Sequence, residues 1–206
     1  MIGADAIYIH FNAVQEAIQG GHRDFRDIAS RLSALCRALE VDGILVFARE
    51  VGFGMSGDAA RRLNACGVSG VDCAGAGGTS WAKVDAGCAA TPQRRALALT
   101  FGEWGTPTAR CIVDIWRVLP DVTLVATGGL RSVIDRAKAI ALGADVGAIA
   151  RPMLKKAHEG EAALHAFIAT VLAELRVCML DVGAANVAGL RGALMAVGGG
   201  SPGGAS

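Results

Sequence analysis

The 206-residue sequence has almost no excess of charge of either sign: 20 Lys and Arg stand against 19 Asp and Glu, a formal net charge of +1. There is thus no electrostatic case for nucleic acid or a membrane surface as partner. It also lacks any CxxC pair; its six cysteines (36, 66, 73, 88, 111 and 178) sit mostly within apolar segments. They read as small, reduced, buried residues of a cytoplasmic protein, with metal binding by cysteine disfavoured. No continuous apolar run approaches ~18 residues, and the N-terminus shows no basic region followed by an apolar block. Disorder is excluded as well, since 52% of residues are hydrophobic and only 19% charged. The length suits one large domain with a real core.

Glycine is abundant, with 28 copies, and its densest cluster marks the stretch on which the rest depends. Val71-Asp72-Cys73-Ala74-Gly75-Ala76-Gly77-Gly78-Thr79-Ser80-Trp81 is a short apolar strand running into a glycine-rich turn. Such a turn leaves backbone N–H groups able to approach an anion or a flat ring; a plain strand-to-helix turn is the other reading. Two later segments, Ala126-Thr127-Gly128-Gly129-Leu130-Arg131 and Ala148-Ile149-Ala150-Arg151-Pro152, also end apolar strands and set a cation beside exposed backbone.

Strands are expected at 4–11, 44–49, 68–73, 122–126 and 145–150. Helices are expected at 24–40, 57–66, 107–119, 132–142 and 161–180, each with apolar residues at helical spacing or a capping residue at its start. Residues 82–103 resist assignment: 87–93 reads as loop, 94–100 is ambiguous. Residues 1–190 are expected to form the domain, and 191–206, rich in glycine, serine and proline, a flexible tail. Strand and helix alternate five times, the pattern of parallel βα units. A doubly wound sheet keeps one ligand switch point, whereas here polar residues follow every strand. That favours an α/β fold of partial (β/α)8 TIM-barrel type, with about five of the eight units.

Polar residues gather at these strand ends. His10 and Asn12, two apart on an extended segment, point the same way, and Gln15 and Glu16 follow on the next turn. A lone Glu suits a hard cation such as Mg²⁺, which keeps water or phosphate as its other ligands; a helix cap with a solvated first turn is the alternative. Arg49 ends a buried strand and needs an anion or an ion pair with Glu50. Asp72 is either a satisfied core carboxylate or a site residue. Arg131 and Arg151 fit a phosphate clamp. His22, His158 and His165 read as surface residues, Trp104 and Trp116 as packing.

At these motifs the sequence resembles the type 2, FMN-dependent isopentenyl-diphosphate Δ-isomerases. The likeness is carried by IGADAIYIHFNAVQEAIQ (2–19), REVGFGMS (49–56), GVSGVDCAGAGGTSWAKV (67–84), EWGTPT (103–108), ATGGLRSVIDRAKAIALGAD (126–145) and IARPML (149–154). The HxNxxQE and AGAGGTSW elements are the specific ones; GGLR and ARP are shared by many flavin barrels. The resemblance implies a barrel that binds FMN at the carboxyl ends of its strands and interconverts isopentenyl and dimethylallyl diphosphate. Reduced flavin is then the acid/base, with Mg²⁺ on the diphosphate and NADPH as reductant.

By the same resemblance Gln15 contacts the substrate, Glu16 ligates Mg²⁺, and His10, Asn12 and Trp81 line the pocket. Thr79 binds flavin, Arg49 faces its pyrimidine edge, and Gly128, Gly129, Leu130, Arg131, Ala150 and Arg151 hold its phosphate. A small-molecule isoprenoid diphosphate and a homo-oligomer are the partners implied. Arg49 stands where such sequences usually carry Lys. The first three strands, a flavin-binding loop and a basic substrate contact of that family have no counterpart here. The expectation is therefore a truncated product or an internal start whose activity depends on completion. A 2-hydroxy-acid oxidoreductase on a related barrel, which calls for a His–Arg pair after the later strands, and an inactive remnant are the alternatives.

Overall fold

A computed structural model describes residues 3–21 and 24–193. Five parallel strands, β1 (Ala6–His10), β2 (Leu45–Arg49), β3 (Gly70–Asp72), β4 (Thr123–Ala126) and β5 (Val146–Gly147), form one sheet in the order of the chain. A doubly wound sheet must reverse its strand order to cover both faces; sequential order instead wraps every crossover onto one side, the winding of a βα barrel. The sheet is an open arc of five strands. The expected architecture holds, though β5 is two residues long and not six.

Several helices start where the sequence offers an N-cap oxygen, although those beginning at Ile28, Thr108, Arg151 and Glu161 do so without one. Asn12 caps α1 (Ala13–Gln19), Ser56 caps α3 (Gly57–Asn64), and Ser132 caps α7 (Val133–Ala141) in a reciprocal capping box with Asp135. α2 (Ile28–Glu40) and α6 (Thr108–Val118) complete the outer layer under β1 to β4. Residues 82–103 are more helical than expected, and of the 87–93 loop only 89–91 lie outside a helix. α4 (Trp81–Cys88) and α5 (Pro92–Thr100) are capped by the hydroxyls of Ser80 and Thr91, the latter with Pro92 in the first turn. They pack on each other and on α1, over the carboxyl end of the sheet.

A further unexpected helix, α8 (Arg151–Glu159), follows β5 directly. α9 (Glu161–Asp181) packs on α8 and α7. By length and composition alone it is long and apolar enough to cross a membrane, with mean hydropathy 1.7. No such stretch was visible as a continuous apolar run, because His165, Glu174 and Arg176 interrupt it. A 3₁₀ turn at Val187–Leu190 closes against α7, with Leu190 buried among Ala137 and Ile140. Of the expected tail, 194–206 lie outside the described residues, as does His22.

Strand register divides the side chains between two environments. Ile9, Val46, Ala48, Val71, Leu124 and Ala126 point outward and form the main core with Leu32, Cys36, Ala60, Cys111, Ile112 and Ile115 from the helices. Burying these apolar faces supplies most of the folding drive. The inner face carries Tyr8, His10, Phe47, Arg49, Asp72, Val125 and Val146. Its upper layer, in direct register, reads His10, Arg49, Asp72, Val125, Val146.

Candidate active site at the carboxyl ends of the strands

The inner layer ends in a buried carboxylate. Asp72, only 1% exposed, accepts the Thr127 hydroxyl at 2.6 Å and the Ala74 N–H at 3.1 Å, and Arg49 Nη1 lies 3.5 Å from its other oxygen. Burial pushes the Asp72 carboxyl above its ordinary range, while Thr127 and Arg49 pull it back. Asp72 is thus the satisfied core carboxylate, and Arg49 takes it as partner in place of Glu50. The Ala74 N–H that caps Asp72 belongs to a residue at φ +33°, a conformation unfavourable for a non-glycine side chain. The hydrogen bond to Asp72 and the Gly54 N–H donated to the Ala74 carbonyl hold it there.

Glu50 serves a different structure. One of its oxygens accepts the N–H groups of Val51, Gly52, Phe53 and Gly54 at 2.6, 2.7, 2.6 and 3.1 Å, and its other oxygen accepts the Asn12 amide. Four N–H groups converging on one oxygen make an anion nest built from the chain itself. Burial raises the Glu50 carboxyl, and the four N–H donors oppose the rise. The Asn12 side-chain oxygen in turn accepts the Gln15 N–H at 2.6 Å, capping α1. Asn12 was expected to line the pocket; it does border it, but its amide is engaged in tying the end of β1 to the end of β2.

A cavity of about 440 Å³ opens beside this joint, lined by His10, Asn12, Gln15, Glu16, Gln19, Arg49, Val51 and Trp81. Sequence reasoning placed six of these at one site, and the fold brings all six together. It missed Asp85, on α4, which accepts the side-chain amide of Gln15 through one oxygen and that of Gln19 through the other. The signal was available: Asp85 lies four residues after Trp81, on the same face of a helix. Because Asp85 takes the Gln15 amide N–H, the Gln15 Oε1 is left buried without a hydrogen-bond partner among the described residues. A buried acceptor in that state awaits a donor. Among the described residues no group of three His, Cys, Asp or Glu side chains gathers to hold a metal. Among the described residues lining the cavity, Glu16 is the one carboxylate.

The glycine turn lies against the loop after β4, backbone upon backbone. A Cβ on Gly128 (φ +100°) would fall 2.0 Å from the Gly75 carbonyl oxygen, and one on Gly78 would fall 2.8 Å from the Gly129 nitrogen. Part of the glycine demand is therefore packing and not ligand approach. Gly75 and Ala76 spend their N–H groups on the carbonyls of Thr127 and Thr106, and Thr108 donates its hydroxyl to the Gly128 carbonyl at 2.5 Å. Arg131 donates to the Gly77 carbonyl at 3.2 Å, so it bridges the two loops. Its neighbour Leu130 packs on the main core. Thr79 follows Gly78 on the exposed rim of the turn; Ala150 and Arg151 sit at the amino end of α8, which follows the next strand along, β5. The residues expected to hold a flavin phosphate thus follow the ends of β4 and β5, with the amino ends of α7 and α8 among them, and Thr79 follows β3. Such a cradle of small residues and helix amino ends suits a phosphate monoester.

Comparison with known proteins fits this geometry. An isopentenyl-diphosphate delta-isomerase from Nostoc sp. is 45% identical over 188 residues, 91% of this chain and 53% of the relative. One from Xanthobacter autotrophicus is 45% identical over 93% of this chain and 55% of its own, and one from Oceanobacillus iheyensis is 41% identical over 91% and 53%. The resemblance read from the motifs is borne out, and the chain spans about half the length of these curated relatives. Among solved structures, GMP reductase from Trypanosoma brucei superposes with a TM-score of 0.61 at 21% identity, covering 92% of this chain and 40% of that one. Mandelate oxidase with benzoyl-formic acid superposes at 0.57 and 19% identity, covering 80% and 42%. At such identities these two show the fold alone. The FMN-dependent dehydrogenase family profile matches residues 54–196, which span β3 to β5 and both glycine loops, and on that match the chain belongs to the FMN-dependent dehydrogenase family.

Proposed function

We propose that this chain is the portion of an FMN-dependent isopentenyl-diphosphate isomerase that carries the substrate-side residues and the phosphate end of the flavin site. The observation that supports it most is the cavity holding His10, Gln15, Glu16, Arg49 and Trp81 beside the paired glycine loops. Bound in its reduced state, the flavin supplies the proton donor and acceptor for moving the double bond. The chain's own residues bind and orient. Gln15 borders the cavity with its amide nitrogen fixed by Asp85 and its buried amide oxygen unpaired among the described residues, an acceptor that does not ionise. Arg49, held by Asp72, favours an anionic ring edge at the same wall. Trp81 offers an apolar surface for the isoprenyl chain and closes one side against water.

Glu16 binds Mg²⁺ together with the diphosphate oxygens and water, since one protein carboxylate suffices for that ion when phosphate supplies further ligands. Gly128, Gly129, Leu130, Arg131, Ala150 and Arg151 receive the flavin phosphate, and Thr79 meets the ring. NADPH is the reductant, the assembly a homo-oligomer, and the compartment the cytoplasm.

Titrating the purified chain with FMN and recording its visible spectrum beside a size-exclusion profile tests this reading. One-to-one uptake by a discrete species is expected; absence of uptake overturns it. In the species that takes FMN, Glu16→Gln is expected to abolish Mg²⁺-dependent isomerisation while leaving FMN affinity unchanged, and undiminished turnover would remove Glu16 from the metal.

A further inference from the structure

The guanidinium of Arg49 is gripped from two directions. Its Nη1 lies 3.5 Å from Asp72, and its central carbon lies 5.9 Å from the ring centroid of Tyr8, within cation–π range. Tyr8 and Arg49 are diagonal neighbours on the inner face, since Tyr8 pairs with Phe47 and His10 with Arg49. The Tyr8 ring is itself immobilised: it stacks on Phe47 with centroids 5.0 Å apart and planes 19° apart. Phe47 is buried over Gly70, where an added Cβ would lie 2.3 Å from its ring.

A stacked aromatic pair thus forms a floor beneath a cation at the cavity wall. A planar guanidinium can rest on such a floor, donate sideways to a carboxylate, and still direct its remaining N–H groups into the cavity. An ammonium is a point charge and cannot do all three. We propose that Tyr8 is a positioning residue that fixes the Arg49 guanidinium for an anionic ligand edge in the adjacent cavity. The identity of that edge as a flavin pyrimidine rests on the reading given above. The phenol contributes to the same field: burial and the Asp72 charge raise its pKa, so it stays neutral beside the cation.

The test compares Tyr8→Phe, which keeps the ring face, with Tyr8→Leu, which removes it, after far-UV dichroism shows both folded. Two readouts are taken: the NMR shifts of the Arg49 δ-methylene protons in the free chain, and the FMN dissociation constant. In the wild type and Tyr8→Phe the ring current should move the δ protons upfield, and both should bind FMN equally. In Tyr8→Leu the shift should vanish and FMN affinity should fall about fivefold, the weight of one partly exposed cation–π contact. An unchanged shift in Tyr8→Leu would overturn the grip, and a lost shift with unchanged FMN affinity would overturn its role toward the ligand. If the wild type takes no FMN, the flavin reading fails separately, and the δ-proton shift alone decides whether Tyr8 positions Arg49.

Discussion

The two faces of the sheet are built on opposite terms. The outer face is all aliphatic and sealed by helices, and its residues are interchangeable in kind: Ile9, Val46, Ala48, Val71, Leu124 and Ala126 do the same work. On the inner face Tyr8, Phe47, Arg49 and Asp72 each have a particular partner. Arg49 has Tyr8 and Asp72, Asp72 has Thr127 and Ala74, and Tyr8 has Phe47. Stability is spread through the first surface by contact area, whereas the second concentrates charge and direction at the carboxyl ends of the strands. The outer face should answer to volume and the inner face to chemistry.

The largest effect should come from a cavity in the outer layer. Ile115→Ala, at a fully buried position on α6, should cost about 3 kcal/mol in urea unfolding; a loss under about 1 kcal/mol would mean the helices are not packed on the sheet as described. Next is Glu50→Gln, which keeps the volume but sets an amide among four N–H donors. A cost of about 2 kcal/mol is expected, and wild-type stability would show the 51–54 turn to be held by something else.

Asp72 gives a dependence on pH with a definite sign. Its folded carboxyl titrates above its unfolded value, so the folded state holds the proton longer. That contribution is fully present below the unfolded pKa and is lost as pH rises through the folded one. Asp72→Asn should remove this slope, so unfolding curves of wild type and variant should diverge as pH rises above the ordinary aspartate range; parallel curves would contradict the burial of the charge. The smallest effect belongs to neither face. Arg110→Ala breaks an exposed i,i+4 pair with Asp114 and should change stability by no more than about 0.5 kcal/mol.

This division also explains what the sequence disclosed. The strands were legible because short runs rich in Val, Ile, Leu and Ala alternate with helical patterns, with polar residues gathered at the carboxyl ends. The cavity was legible through the polar residues His10, Gln15, Glu16 and Arg49 at strand ends, which also had structural readings, and through the family resemblance, which added Trp81. Pairings were not. Arg49 reads naturally as the partner of adjacent Glu50, yet parallel register sets it against Asp72, and Glu50 turns to the following backbone. A nest of four N–H groups has no side-chain signature, since it depends on the path of residues 51–54. Helices α4 and α5 were obscured by Gly87 and by runs of alanine that carry little amphipathic contrast, although Ser80 and the Thr91-Pro92 pair announced both starts.

Sequential strand order also governs how the sheet assembles. Every strand pairs with its neighbour in the chain, so no pairing skips a strand, although the β3–β4 connection carries α4, α5 and α6. The entropy of closure grows only slowly with each added unit. Each completed strand offers a hydrogen-bonding edge to the one synthesised next, and the sheet can grow by accretion from its amino-terminal edge without awaiting a distant partner. A topology rich in such local pairings folds faster than one that must join remote segments.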